Sequence, residues 1–242
     1  MGTAWRDFEM PKKLVCDEDS LTDTYGKFVA EPFERGYGMT IGNGLRRVLI
    51  SSIEGAAVTS IKIDGVLHEF SAIPGVLEDV TQIVLNVKQL VLRAHSRQPK
   101  TIVIEKDKKG PVTAGDLEVD DTIEVINPEL HLCTITKPGK FRMELEVNRG
   151  RGYVSAEKHK KEGQAIGVIP VDALSSPVKR VNFSVEDTRV GQVTDYDRLN
   201  LEVWTNGAMS PKDSLLYASN ILQRHLDLFV NYGTLPEEPE DE

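Results

Sequence analysis

The stretch ERGYGMTIGNGLRRVLISS, Glu34 to Ser52, decides how the rest of this 242-residue chain is read. From Thr40 to Ile53 the apolar residues Ile41, Leu45, Val48, Leu49 and Ile53 recur at helical spacing, with glycines clustered just before them and Gly55 just after, so a helix is expected. Arg46 and Arg47 fall inside that helix. Neighbouring residues on a helix point about 100° apart, so at least one of the pair flanks the apolar stripe. A bland reading makes them solvent-facing charges. The sharper one makes them an anchor, because the planar guanidinium fork holds a partner's carboxylate or backbone carbonyls.

The glycines of the same stretch also admit two readings. Gly36, Gly38 and Gly42 give a GxGxxxG pattern, one residue longer than the dinucleotide fingerprint, and Glu31–Arg35 before it does not form a buried parallel strand. A small phosphate- or nucleotide-binding enzyme built on the Gly36–Gly44 loop is therefore the rival expectation. An assembly surface is the favoured one.

Beyond Gly55 the period changes from helix to strand. Ala57–Asp64 alternates and closes on an Asp64-Gly65 turn, and a second helix is expected over Val76–Leu90, after Pro74-Gly75. Short strands follow at Thr101–Glu105, Thr122–Ile126, Leu130–Thr136 and Phe141–Val147, punctuated by turns such as Lys109-Gly110-Pro111 and Lys137-Pro138-Gly139. Arg149-Gly150-Arg151-Gly152-Tyr153 reads as a hairpin turn with two exposed arginines, opening a basic loop that runs to Gly163. Strands return at Gly167–Val171, Val181–Val185 and Leu199–Trp204.

The last long element is a helix whose start is written in Ser210-Pro211-Lys212-Asp213: a capping hydroxyl, a proline at the first helical position and an acid at the third. Leu215, Ala218, Leu222, Leu226 and Phe229 line one face of it, and Leu216, Ile221, Leu228 and Val230 widen the stripe. That width exceeds what packing on one core requires, so pairing with a second chain is the natural use.

Composition narrows the function classes. A net charge of −9 argues against direct DNA or RNA binding, since such binders rely on many Lys and Arg contacts to phosphate, and no direct nucleic-acid binding is expected of this region. The two cysteines stand far apart, and the five histidines fall in no metal-ligand spacing, so no cofactor or metal is expected. No GxSxG elbow or Walker-type loop occurs, no catalytic residue suggests itself, and no eighteen-residue apolar run predicts a membrane span. A cytoplasmic location is expected. The acidic run at residues 236–242 reads as a solvated tail.

At this point the residues resemble a family. The opening motif, extended to Glu54-Gly55, is similar to the assembly motif of the bacterial, or plastid-type, RNA polymerase alpha subunit. The likeness continues through IDGVLHEFSAIPGVLEDVTQIVLNVK (Ile63–Lys88), GPVTAGDL (Gly110–Leu117), VNRGRGYV (Val147–Val154), VDALSSPVKRVNFSVEDTRVGQVTDYDRL (Val171–Leu199) and TNGAMSPKDSL (Thr205–Leu215).

The resemblance implies an α+β fold of two domains. The first is a discontinuous dimerization domain with long helices, residues 1–54 and 180–235, and the second an inserted β-rich domain, residues 55–179. It implies a homodimer that nucleates polymerase assembly, one copy recruiting the beta subunit and the other beta-prime, with no polymerization chemistry of its own. Arg46, Arg47, Ile50 and His68 would meet beta; Lys88, Val171, Asp172, Arg189 and Asn206 would meet beta-prime; Leu215, Leu222, Leu226 and Phe229 would form the dimer interface. Family members continue past a linker into a small DNA-binding domain, and the letters after Tyr232 resemble that linker.

Overall fold

A computed structural model of the chain describes residues 9–233 except 161, 162, 164 and 192. The acidic tail expected at residues 236–242 lies outside the described residues. The fold is α+β, and the chain divides into two compact units: the described parts of Met1–Ile53, Val178–Thr205 and Met209–Glu242, and a second unit of Glu54–Pro177 with Asn206–Ala208.

The first unit is built on a four-stranded antiparallel sheet. Strands β1 (Lys13–Cys16) and β2 (Tyr25–Phe33) precede helix α1 (Tyr37–Ser51), and the chain then leaves for the second unit. It returns in strands that, numbered in chain order, are β13 (Val178–Val190) and β14 (Val193–Thr205), giving the order β1-β2-β14-β13. Cross-strand pairs such as Phe183 with Leu201 and Leu201 with Phe28 set the register. Both returning strands run well past the short segments expected at Val181–Val185 and Leu199–Trp204. The outer half of β13 is charged and half-exposed, so the apolar signal that marks a strand fades there while the ladder to β14 continues.

Helix α1 lies on this hairpin because it lacks side chains where it meets it. A Cβ on Gly42 would sit 2.6 Å from Phe183 Cδ2 and 2.8 Å from Leu199 Cδ1, and one on Gly38 would sit 3.0 Å from Asp197 and Val185. The i, i+4 pair of glycines therefore lets the helix backbone approach the strands, while Leu49 and Ile53 complete the core with Phe28, Val181 and Val203. The final helix, labelled α4 (Pro211–Val230) below, starts as expected: Ser210 Oγ accepts from Asp213 N at 3.1 Å, with Pro211 in the first turn.

The second unit is sheet-rich. Strands β3 (Glu54–Ile63), β4 (Leu92–Ala94), β5 (Lys100–Lys106), β7 (Ile123–Val125) and β9 (Phe141–Arg151) form one sheet in the order β5-β9-β3-β4-β7, with β11 (Val168–Pro170) pairing to β3. Two small ribbons complete it, β6 (Gly110–Thr113) with β8 (His131–Ile135) and β10 (Tyr153–Val154) with β12 (Ala173–Leu174). Phe141, Met143, Leu145 and Val147 of β9 alternate inward at period two, and the core they enter also holds Ile61, Ile104, Leu132 and Ile83.

Three sequence expectations are corrected here. The helix expected over Val76–Leu90 is α2 (Val80–Val87). Asp79 and Gln82 form a capping box, Gln82 N donating to Asp79 Oδ1 at 2.7 Å and Asp79 N to Gln82 Oε1 at 3.3 Å, and Val76 instead bridges to Ile135. The Arg149–Tyr153 run is not a hairpin turn. Arg149, Gly150 and Arg151 extend β9 against Ala56, Gly55 and Glu54, and both arginines pair with the Glu54 carboxylate; the turn falls on Gly152 alone. The basic loop expected as far as Gly163 holds β10 and a single helical turn, α3 (Ala156–His159).

The ends of the second unit meet. A Cβ on Gly55, at the start of β3, would stand 2.0 Å from the Ser175 carbonyl oxygen, at its far end. Asn206–Ala208 joins the same unit because Arg93 Nε donates to Ala208 O at 2.8 Å and Nη2 to Gly207 O at 3.2 Å, while Asn206 N donates to Pro177 O at 2.9 Å.

Alanine at Gly42 gains about 1 kcal/mol of helix propensity but overpacks Phe183 and Leu199, which typically costs ~1–3 kcal/mol. Gly42→Ala should therefore unfold at lower denaturant than the parent. Gly44→Ala, whose Cβ would meet Leu222 at an ordinary 3.6 Å, should be neutral or stabilising. Equal midpoints for the two variants would refute the close-packing account.

Candidate docking surfaces

The glycine-rich loop is the natural place to look for a phosphate, since the N-terminus of a helix offers unsatisfied amides to an anion. In this chain an internal carboxylate takes that place. Asp197 Oδ2, buried on β14, accepts from Gly36 N at 2.8 Å and Gly38 N at 3.1 Å. Gly36 itself adopts φ 88°, which turns the chain into α1. The amides a nucleotide would need are engaged, so the rival nucleotide-binding expectation loses its physical basis. Among the described residues no group of three or more His, Cys, Asp or Glu is placed to hold a metal ion. Burial pushes the Cys133 thiol up to about 12 and raises Cys16 as well, so neither is a thiolate nucleophile near neutral pH.

What α1 does expose is a ridge. Gly38, Gly42 and Leu49 face inward, leaving Met39, Asn43, Arg47 and Ile50 exposed at spacings of four, four and three residues. Arg46 is half-buried, its Nη2 donating to Asn43 Oδ1 at 3.4 Å. It lines an open depression of about 650 Å3 with Met39, Thr40, Asn43, Val181, Asn182 and Phe183. Arg46, Arg47 and Ile50 are thus brought onto one surface, polar at its rim and apolar at Met39 and Ile50.

His68 belongs to the second unit. It is exposed in the connection between β3 and α2, its Nδ1 3.2 Å from Ser71 Oγ, among the exposed side chains of Leu67, Phe70 and Leu77. This connection is pinned by Glu78, whose carboxylate accepts from Thr134 N at 2.6 Å and meets His131 Nε2 at 2.9 Å. Burial opposes ionisation of Glu78, but these hydrogen bonds prevail and hold its carboxyl below the usual range.

Lys88 and Asp172, far apart in sequence, form an ion pair at 3.0 Å. Asp172 also accepts from Ala156 N at 2.9 Å, and that backbone bond, with Lys88 second, lowers its carboxyl below the ordinary value. Val171 is only 2% exposed, so its side chain belongs to the core and offers nothing to a partner; the contact expected of it can come only from its neighbours. Asn206 is half-buried, its Oδ1 accepting from Ala208 N. Arg189 lies exposed on β13 in the other unit, with Nε donating to Gly191 O at 2.6 Å. Sequence reasoning missed Asp197 and Arg93, which carry no local motif and acquire their roles only through tertiary contact.

Helix α4 changes character along its length. Pro211, Ser214, Leu215 and Ala218 are buried and Ile221 and Leu222 half-buried, but every residue from Gln223 to Gly233 is exposed. Leu226 is 50% exposed, Phe229 74% and Tyr232 95%, with Leu228 and Val230 also bare. Of the four expected dimer residues, only Leu215 is buried within the chain's own fold. No helix among the described residues is long and apolar enough to cross a membrane.

Comparison with known proteins bears on these surfaces. Residues 61–176 match the RNA polymerase Rpb3/RpoA insert domain family. Over 224 residues the chain is 56% identical to the DNA-directed RNA polymerase subunit alpha of Desulforamulus reducens, and equally so to that of Moorella thermoacetica, each match covering 93% of this chain and 71% of the relative. The Geobacter metallireducens protein of the same name is 50% identical over 237 residues, covering 98% of this chain and 70% of the relative. With its inserted sheet-rich domain and these long, high-identity matches, the chain belongs to the DNA-directed RNA polymerase alpha subunit family.

Proposed function

We propose that the chain works as a homodimeric scaffold in DNA-directed RNA polymerase, holding the two large subunits while they supply the chemistry. The observation that carries this reading is the bare distal half of α4. Leu226, Leu228, Phe229 and Val230 lie within five residues, exposed in the lone chain, and a soluble monomer gains nothing by presenting them to water. Burying such side chains is worth roughly 1.5–3 kcal/mol each. A two-fold interface counts every one of them twice, enough to offset the entropy of association. Leu222, half-buried against Gly44, sits where the covered and bare parts of the helix meet.

The exposed ridge of α1 is the beta-facing surface in this reading, with Arg47 as its anchor, Arg46 in the adjoining depression and Ile50 as the apolar contact. His68 and its exposed connection serve the same partner. The paired Lys88 and Asp172, with Asn206 and Arg189, serve beta-prime. The resemblance to the family is what supports that division between partners, and the exposure of Arg47, Ile50, His68, Lys88 and Arg189 leaves those side chains available to them. The chain acts in the cytoplasm, in contact with the nucleoid through the assembled enzyme.

Replacing Leu226 and Phe229 together by alanine should convert the dimer to monomer in sedimentation velocity at micromolar concentration, with the circular dichroism spectrum retained. A stably dimeric double variant would remove α4 from the interface. Arg47→Ala should leave the dimer intact and weaken capture of purified beta subunit by on the order of tenfold, the loss expected on truncating an interface hot spot. Undiminished capture at limiting concentration would refute the anchor. Lys88→Met should raise the Asp172 titration midpoint, read by carboxyl NMR, without restoring the ordinary value, because the Ala156 bond remains. An unmoved midpoint would show that the ion pair does not persist in solution.

A further inference from the structure

Net charge averages over a surface that is not uniform. The turn from β5 to β6 carries Asp107, Lys108 and Lys109, and the turn from β8 to β9 carries Lys137, Pro138, Gly139 and Lys140. Gly139 N donates to Asp107 O at 3.2 Å, so the fold brings these two turns together at one end of the second unit. All four lysines are exposed. The neighbouring acids are already engaged: Arg142 binds Glu105 and Glu144 at 2.7 Å each and also faces Asp64, while Lys106 binds Asp116 at 2.8 Å. Among the described residues no carboxylate pairs with Lys108, Lys109, Lys137 or Lys140, which leaves only Asp107 within the turns to offset them.

We propose that these paired turns bind the phosphate backbone of duplex DNA, independently of sequence. The chemistry of the patch selects that partner. Protein interfaces deplete lysine and centre on aromatic, methionine or arginine anchors, whereas these two turns carry four lysines and one aspartate, with Pro138 their one apolar side chain and no aromatic among them. The absence of aromatics also removes the stacking platform that single strands require. Lysine is a compact point charge on a flexible stem, suited to phosphates whose spacing it need not match closely. A chain of net charge −9 can still hold DNA through such a site, because at ordinary ionic strength charges more than about 8–10 Å away are largely screened. The proposal rests on local charge and concerns the chain free of the large subunits, because Lys137 N donates to Gly75 O at 3.3 Å, in the connection assigned above to beta.

The test is fluorescence anisotropy of a labelled mixed-sequence duplex titrated with the full chain across a sodium chloride series. Four phosphate contacts predict a slope of log K against log salt of about −3 to −4, since each contributes about −0.9. K137E/K140E should reduce that slope by about 2 and weaken binding by on the order of tenfold or more at low salt. K108E/K109E, on the other turn, should do the same and stands in if the first pair disturbs folding, as judged by thermal melting. K158E/K160E carries the same change in net charge away from the patch and should bind like the parent. Absence of salt-dependent binding by the parent, or equal losses in all three variants, would overturn the proposal. So would polyglutamate of matched charge competing as well as duplex DNA, which would assign the turns to an acidic protein segment.

Discussion

The approach of α1 to the β13–β14 hairpin is the constraint on which the first unit depends. Two glycines one helical turn apart remove the side chains that would hold helix and strands apart, and the Asp197 carboxylate reaches across to the first amides of the helix. Burying that carboxylate is tolerable because two N–H donors and the positive end of the helix satisfy it. The same seating decides which residues are left outside. Once Gly38, Gly42 and Leu49 are committed to the interior, helical geometry turns Arg47 and Ile50 outward. Packing and docking are opposite faces of one arrangement.

Much of this was legible in the sequence, and the failures have physical causes. Helix α1 announced itself through the spacing of Ile41, Leu45, Val48 and Leu49, and α4 through Ser210, Pro211 and Asp213. The early part of the expected Val76–Leu90 helix failed because apolar periodicity alone cannot exclude an extended segment; the Asp79-Val80-Thr81-Gln82 capping box marked the true start. Arg149–Arg151 was misread because glycine suggests a turn, while here Gly150 sits in a strand whose arginines find Glu54 across the ladder. Of the site residues, Arg46, Arg47, Ile50, Lys88 and Asp172 stand where a partner could reach them, but Val171 could not be separated from its exposed neighbours by composition. Asp197 and Arg93 were invisible because their partners lie far away in the chain.

Helix α4 shows how one element can serve two environments. Its first two turns are anchored to the protomer by Pro211, Ser214, Leu215 and Ala218, and its remaining length presents apolar side chains that the protomer leaves uncovered. A periodic apolar stripe read from sequence cannot distinguish these halves, since both carry leucines at the same spacing. Only the point at which the rest of the fold runs out, near Leu222, separates intramolecular core from surface in need of a partner.

The near contact of Gly55 with the Ser175 carbonyl closes the second unit at its neck. A segment whose ends already touch can lengthen or shorten with little entropic penalty, because each doubling of a closed loop costs only about 0.6 kcal/mol. Surface turns between those two residues can therefore lengthen, shorten or exchange charge, as at Lys108 and Lys137, without retuning the sheet from which the segment departs. The neck makes the insert a self-closed module, whose surface turns can take on new contacts while the chain on either side keeps its own.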